Sequence, residues 1–111
     1  MTSQWYSFTA SFGKMYGKSK QGSKILQTDI DVFVQNVVMK QIVAFKIVET
    51  TGVWKGQKED SFDIVVLDKN FEKMQEIMKE ICSQYTNMFY QDAVMLVYEK
   101  VDAVEFIEKR F

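Results

Sequence analysis

The sequence predicts a small α+β domain of the ferredoxin-like type, β-α-β-β-α-β. It has one antiparallel sheet, two helices on one of its faces and a short C-terminal extension. Three observations carry this. Period-two runs occupy residues 4–12, 42–50 and 61–67, with an apolar run at 92–98. Two apolar stripes of period 3.6 occupy 28–38 and 70–85. The two patterns alternate in the split βαβ order. With 111 residues, 47% hydrophobic and 26% charged, the chain has the size of one domain, 1–111, and enough apolar material for a core.

The elements follow in order. Tyr6, Phe8, Ala10 and Phe12 alternate with Ser7, Thr9 and Ser11, which reads as a half-buried strand. Residues 13–24 are rich in Gly, Ser and Lys and form the main loop. Thr28 is a candidate N-cap, with Asp29 and Asp31 in the first turn. Ile30, Phe33, Val34, Val37 and Val38 give the first helix one apolar stripe. Val43, Phe45 and Ile47 share one face of the second strand, and Phe62, Ile64 and Val66 one face of the third. The hairpin between them continues through Trp54 and turns near Gly56. Asn70 can cap a second helix whose stripe is Phe71, Met74, Ile77, Met78, Ile81 and Tyr85. The fourth strand is almost wholly apolar, which suggests a central position. The tail, 101–107, reads as an edge strand or a helical turn. In this arrangement the aromatics of strands one to three would line the open face of the sheet. Such a patch is seldom left in water, so a homo-oligomer, a dimer or larger, is expected.

Composition excludes several classes. There is one cysteine, Cys82, and no internal disulfide. No apolar run approaches the ~20 residues a bilayer span needs. Residues 1–12 lack the basic start and apolar block of a signal peptide. A cytoplasmic protein without a membrane partner is expected. The net charge of −1 argues against nucleic acid. Lys14, Lys18, Lys20 and Lys24 nevertheless give residues 1–24 a charge of +4. They form either a solvated loop or a contact for one small anion.

The candidate motifs are short. Gly13-Lys14-Met15-Tyr16-Gly17-Lys18-Ser19 misses a P-loop by one residue, and no helix follows at once. Lys14 or Lys18 could still meet an anion. With no histidine in the chain and Cys82 inside a helix, no catalytic residue is assigned and no enzyme is expected. Glu59, Asp60 and Asp63 could hold a divalent cation but read better as a solvated acidic strand edge, so neither metal nor cofactor is expected. Trp54 is a core or interface cap, or a stacking platform beside Lys55.

Two stretches carry a resemblance. The first is Phe45-Lys46-Ile47 followed by Gly52-Val53-Trp54-Lys55-Gly56 and Glu59-Asp60-Ser61. The second is Phe89-x-Gln91-Asp92-Ala93-Val94. Together they resemble a pattern in small phage and bacterial proteins, some of which look like the phage anti-Thoeris sponges. Those hold cyclic ADP-ribose isomers made by bacterial TIR enzymes without cleaving them. The likeness spans roughly residues 28–107. It implies a non-enzymatic oligomer that sequesters a cyclic nucleotide, with ligand pockets between protomers. On that reading Lys14, Lys18, Trp54, Lys55, Gln91 and Asp92 would meet the ligand. Arg110, the chain's one arginine, would reach a neighbour's pocket. The alternatives are a protein-binding module acting through the aromatic sheet face and a small ferredoxin-like enzyme using Glu59 or Asp92.

Overall fold

The computed structural model of the chain describes residues 3–17 and 23–110, and of Trp54 the backbone only. The elements run β1 (Trp5–Gly13), α1 (Gln27–Phe33), β2 (Lys46–Trp54), β3 (Gln57–Asp68), α2 (Phe71–Phe89) and β4 (Met95–Val101). The sheet order is β2-β3-β1-β4, with every pair antiparallel. This is the ferredoxin-like arrangement, as expected from the sequence.

The helices cover one face of the sheet, and the core lies between the two layers. Phe8, Ala10 and Phe12 of β1 and Phe62, Ile64 and Val66 of β3 are buried under Ile30 and Phe33 of α1 and Met74, Met78, Ile81 and Tyr85 of α2. Phe12 is the joint of this core. Its ring centroid lies 5.7 Å from Phe33, 5.1 Å from Phe62 and 4.6 Å from Tyr85, so one side chain touches the sheet and both helices.

Several boundaries move. The first helix starts at Gln27, with Leu26 rather than Thr28 at the N-cap. It continues as a π-helical turn, Val34–Val38, in which the Met39 N–H donates to Val34 O at 2.8 Å. The wider turn accommodates the crowded valines and still buries Val38. The second helix is capped as the sequence indicates, the Asn70 side chain accepting from Lys73 N at 3.2 Å. The hairpin turns at Lys55 and Gly56, with φ 50° and 77°. Positive φ at both positions is a type I′ turn, which matches the strand twist. β2 runs four residues later than expected, and Val43 is fully exposed outside it.

Three expectations are corrected. β4 is an edge strand, its apolar run being covered by α2 on one side only. The aromatics do not line the open face, because Tyr6, Phe8, Phe12 and Phe62 point under the helices. That leaves Trp5, Ser7, Thr9, Ser11, Asp63, Val65 and Leu67 on the open side, a face that is mostly polar and aliphatic among the described residues. The tail beyond Val101 is neither strand nor helix, although Phe106 rests on Trp5 with ring centroids 5.7 Å apart.

Cys82 is buried in α2, and burial pushes its thiol up to about 11 from an ordinary 9.0. Below pH 9 the thiol is neutral in both states and the stability is complete. Above pH 9 the unfolded chain ionises first, so stability falls until about pH 11, by up to about 1.4 kcal/mol per pH unit. Melting temperatures at pH 8 and 10.5 should therefore diverge more in the wild type than in Cys82→Ala. Equal slopes would remove Cys82 as the cause.

Candidate functional site

β1 ends at Gly13, and a cleft of about 1030 Å³ opens there. It is bounded by residues 14–17 leaving β1, by Val53 and residues 57–60 of the β2–β3 hairpin, by residues 91–93 after α2, and by Met95 at the start of β4. The size suits a nucleoside-sized ligand.

The walls are held by the backbone. The Lys14 N–H donates to Asp60 O at 3.0 Å, and the Ile25 N–H donates to Lys14 O at 2.8 Å. Met15 and Lys24 form a β-bridge. The Tyr85 hydroxyl rises from the core and donates to Gly13 O at 2.6 Å. Burial first, then the charge of Glu59 and the nearby Tyr16, pushes that hydroxyl far above its ordinary value, so it remains a donor. α2 ends at Tyr90 in the left-handed conformation, φ 52°. There the Gly17 backbone docks so closely that a Cβ would lie 1.6 Å from Tyr90 O. This approach requires glycine at position 17.

Glu59 and Gln91 meet at the floor of the cleft. A Cβ on Gly13 would stand 2.6 Å from Glu59 Oε1 and 3.3 Å from Gln91 Oε1. The absent side chain is therefore what leaves room for both oxygens. Gln91 is anchored by Nε2, which donates to Met15 O at 2.5 Å and Phe89 O at 3.1 Å.

The structure brings together three of the seven expected ligand residues, Lys14, Gln91 and Asp92. Lys14 is not a spare cation. Its ammonium pairs with the Glu49 carboxylate and lies 6.0 Å from the Phe62 ring centroid. Lys24 stands 4.0 Å from Asp60. The basic loop is thus largely balanced where it is described. Lys55 sits in the hairpin turn and Arg110 in the exposed tail, and neither lines the cleft. Lys18 and the Trp54 side chain lie outside the described residues. Among the described residues no group of acids and cysteine is arranged to hold a metal. No helix there is long and apolar enough to cross a membrane. Tyr16 and Lys24 line the cleft as well; the sequence points to them only as members of the near P-loop and the basic loop, not as ligand residues in their own right. For Glu59 the sequence offers a strand-edge acid, a cation ligand or a general base, and not a ligand-binding acceptor. Their placement depends on β1 stopping at Gly13, which the Gly/Ser/Lys-rich stretch announces, and on the register that brings the hairpin and residues 91–93 beside it, which no local pattern does.

No protein-family model matches the sequence, and no curated protein matches it. Solved structures do. The chain is similar to a phage SAM lyase in its apo state, at 16% identity over 100% of this chain and 94% of that one, with a TM-score of 0.67. It is similar to a phage SAM lyase in complex with S-methyl-5′-thioadenosine, at 17% identity over 90% and 84%, TM-score 0.63. It is also similar to the divalent ion tolerance protein CutA1 from Ehrlichia chaffeensis, at 10% identity over 95% and 88%, TM-score 0.54. At these identities the likeness establishes the ferredoxin-like fold. It also overturns the expectation that no enzyme is to be looked for here: two of these structures are of a lyase, so this architecture houses catalysis.

Proposed function

We propose that the protein is a phage-type lyase acting on an adenosyl sulfonium of the S-adenosylmethionine class, with its site in the cleft at the end of β1. The observation that supports this most is the convergence of Glu59 and Gln91 over Gly13, in a chain that matches a phage SAM lyase over its whole length. Both halves of the sequence motif reach this one cleft, the first through Glu59 and Asp60 and the second through residues 91–93.

The chemistry fits a chain without histidine. A sulfonium leaves as a neutral thioether and needs no protonation. The Cγ–S bond breaks and its electron pair goes to sulfur, giving S-methyl-5′-thioadenosine. An oxygen of the substrate's own carboxylate bonds to Cγ and closes a lactone. No proton moves, so no general base is required. A carboxylate and a sulfonium neutralise each other in the transition state, so a site that holds them together away from water favours the step. The protein's part is to bind, orient and exclude water. Met95 and Val53 supply apolar wall, and Glu59 and Gln91 supply acceptors.

The reading includes a homo-oligomer. The open face carries Val48, Val65, Leu67 and Val97, and Leu67 is 45% exposed. Covering these aliphatics against a second copy would remove apolar area from water.

Purified protein incubated with S-adenosylmethionine should release S-methyl-5′-thioadenosine, followed by chromatography and mass spectrometry. Light scattering on the same sample should give a mass above one protomer. Intact S-adenosylmethionine after prolonged incubation would sink the lyase reading, all the more if a cyclic ADP-ribose isomer bound and was recovered unchanged. A monomer would remove the oligomer.

A further inference from the structure

A carboxamide has two N–H donors and one acceptor oxygen. Both donors of Gln91 are engaged by main-chain carbonyls, at 2.5 Å on Met15 and 3.1 Å on Phe89. The orientation of the group is therefore settled, and Oε1 is left as an acceptor of fixed direction. It faces the space above Gly13, where Glu59 Oε1 also stands. The space lies between both oxygens, and both residues line the cleft. The nearest side-chain atoms to it are two acceptor oxygens, and one of them carries a charge, while the neighbouring Tyr85 hydroxyl is already committed to Gly13 O. Among the described residues no cation pairs with Glu59. Three lysines share the cleft: Lys14 and Lys24 pair with Glu49 and Asp60, and Lys58 lies within 4.0 Å of neither oxygen of Glu59. A partly buried carboxylate without a counter-charge is unfavourable, and a ligand that brings the charge relieves it.

We infer that Glu59 and Gln91 form a cradle for a primary ammonium group, and that Gln91 decides specificity for ligands bearing an amino-acid head; this rests on the lyase reading. A ribose diol would satisfy two acceptors as well. It would leave the negative charge uncompensated, and the charge favours the ammonium.

Gly13→Ala tests the cradle directly. The added methyl fills the space and displaces both oxygens, while the Gln91 bonds to Met15 and Phe89 need not break. Two probes separate the groups. S-adenosylhomocysteine and S-methyl-5′-thioadenosine share the adenosine and the thioether, and only the first carries the amino-acid head. By calorimetry, wild type should bind S-adenosylhomocysteine more tightly. Gly13→Ala should lose about thirtyfold or more on that ligand and less than about threefold on the other, the range of a lost charge-assisted contact. Gln91→Met, checked for folding by circular dichroism, should show the same selective loss. Equal losses on both probes, or none on either, would overturn the cradle while leaving the adenosyl reading intact. A wild type that bound neither probe would overturn both.

Discussion

Glu59→Gln is expected to lower kcat/KM for S-adenosylmethionine cleavage about a hundredfold, equivalent to about 2.7 kcal/mol of transition-state stabilisation. The substitution keeps the shape of the side chain and removes its charge. Glu59 sits at the cleft floor beside Gln91 Oε1, close enough to Tyr85 for its charge to help hold that hydroxyl protonated. A ligand ammonium held there fixes one end of the aminocarboxypropyl chain, and its carboxylate then approaches Cγ from a limited set of directions. Loss of the charge should raise KM and lower kcat together, because binding and orientation are served by the same contact. Affinity for S-methyl-5′-thioadenosine, which has no ammonium, should stay within about threefold, the size of a small indirect effect. The melting temperature should hold or rise slightly, since a partly buried carboxylate without a cation partner does not stabilise the fold. Initial rates over a substrate range and a melting curve check this. An unchanged kcat/KM would remove Glu59 from the site.

Phe12→Ala should be the most damaging single change to the fold, costing roughly 3–5 kcal/mol. The side chain is fully buried and packs against Phe33, Phe62 and Tyr85, so its removal leaves a cavity where sheet and helices meet. Tyr85 is the hydrogen-bond donor to Gly13, the residue at the cleft floor. The loss should therefore loosen the site as well as the core. Against a total stability of about 5–15 kcal/mol, the variant should be close to unfolding at physiological temperature. Urea titration with an unchanged slope would measure it. A loss below about 1 kcal/mol would mean that the core repacks around the gap.

Much of the fold was legible in the chain because local rules and burial agree. The β1 alternation, the α2 stripe with its Asn70 cap and the Lys55-Gly56 turn each match a backbone geometry that few other residues would suit. The misreadings fall where a pattern has two solutions. An apolar run such as residues 92–98 suits a central strand and an edge strand lying under a helix equally well. Alternation states which residues share a face but not which face the helices cover, and for that reason the aromatics were assigned to the wrong side. The start of β2 moved because Ile42 and Phe45 pack against the core from a loop, and hydrophobic content alone cannot tell that from a strand.

Catalysis was discounted because the chain has no histidine. That criterion tests for proton transfer and does not apply to a reaction whose leaving group departs neutral. Gln91 stands out in the sequence through its motif, and the structure shows its two donors taken up by Met15 and Phe89. Lys14, also flagged, is paired with Glu49, thirty-five residues away along the chain.

The sequence by itself determined the order of elements, the stripes that become the core and the hairpin turn, because each depends on contacts or dihedrals within a few neighbouring residues. Only the tertiary structure decided which face of the sheet is covered, that β4 lies at an edge, and that Gly13, Glu59 and Gln91 meet. Those three positions lie on β1, on β3 and after α2. Their encounter follows from antiparallel register and from the close approach that a glycine allows, and neither has a local signature in the chain.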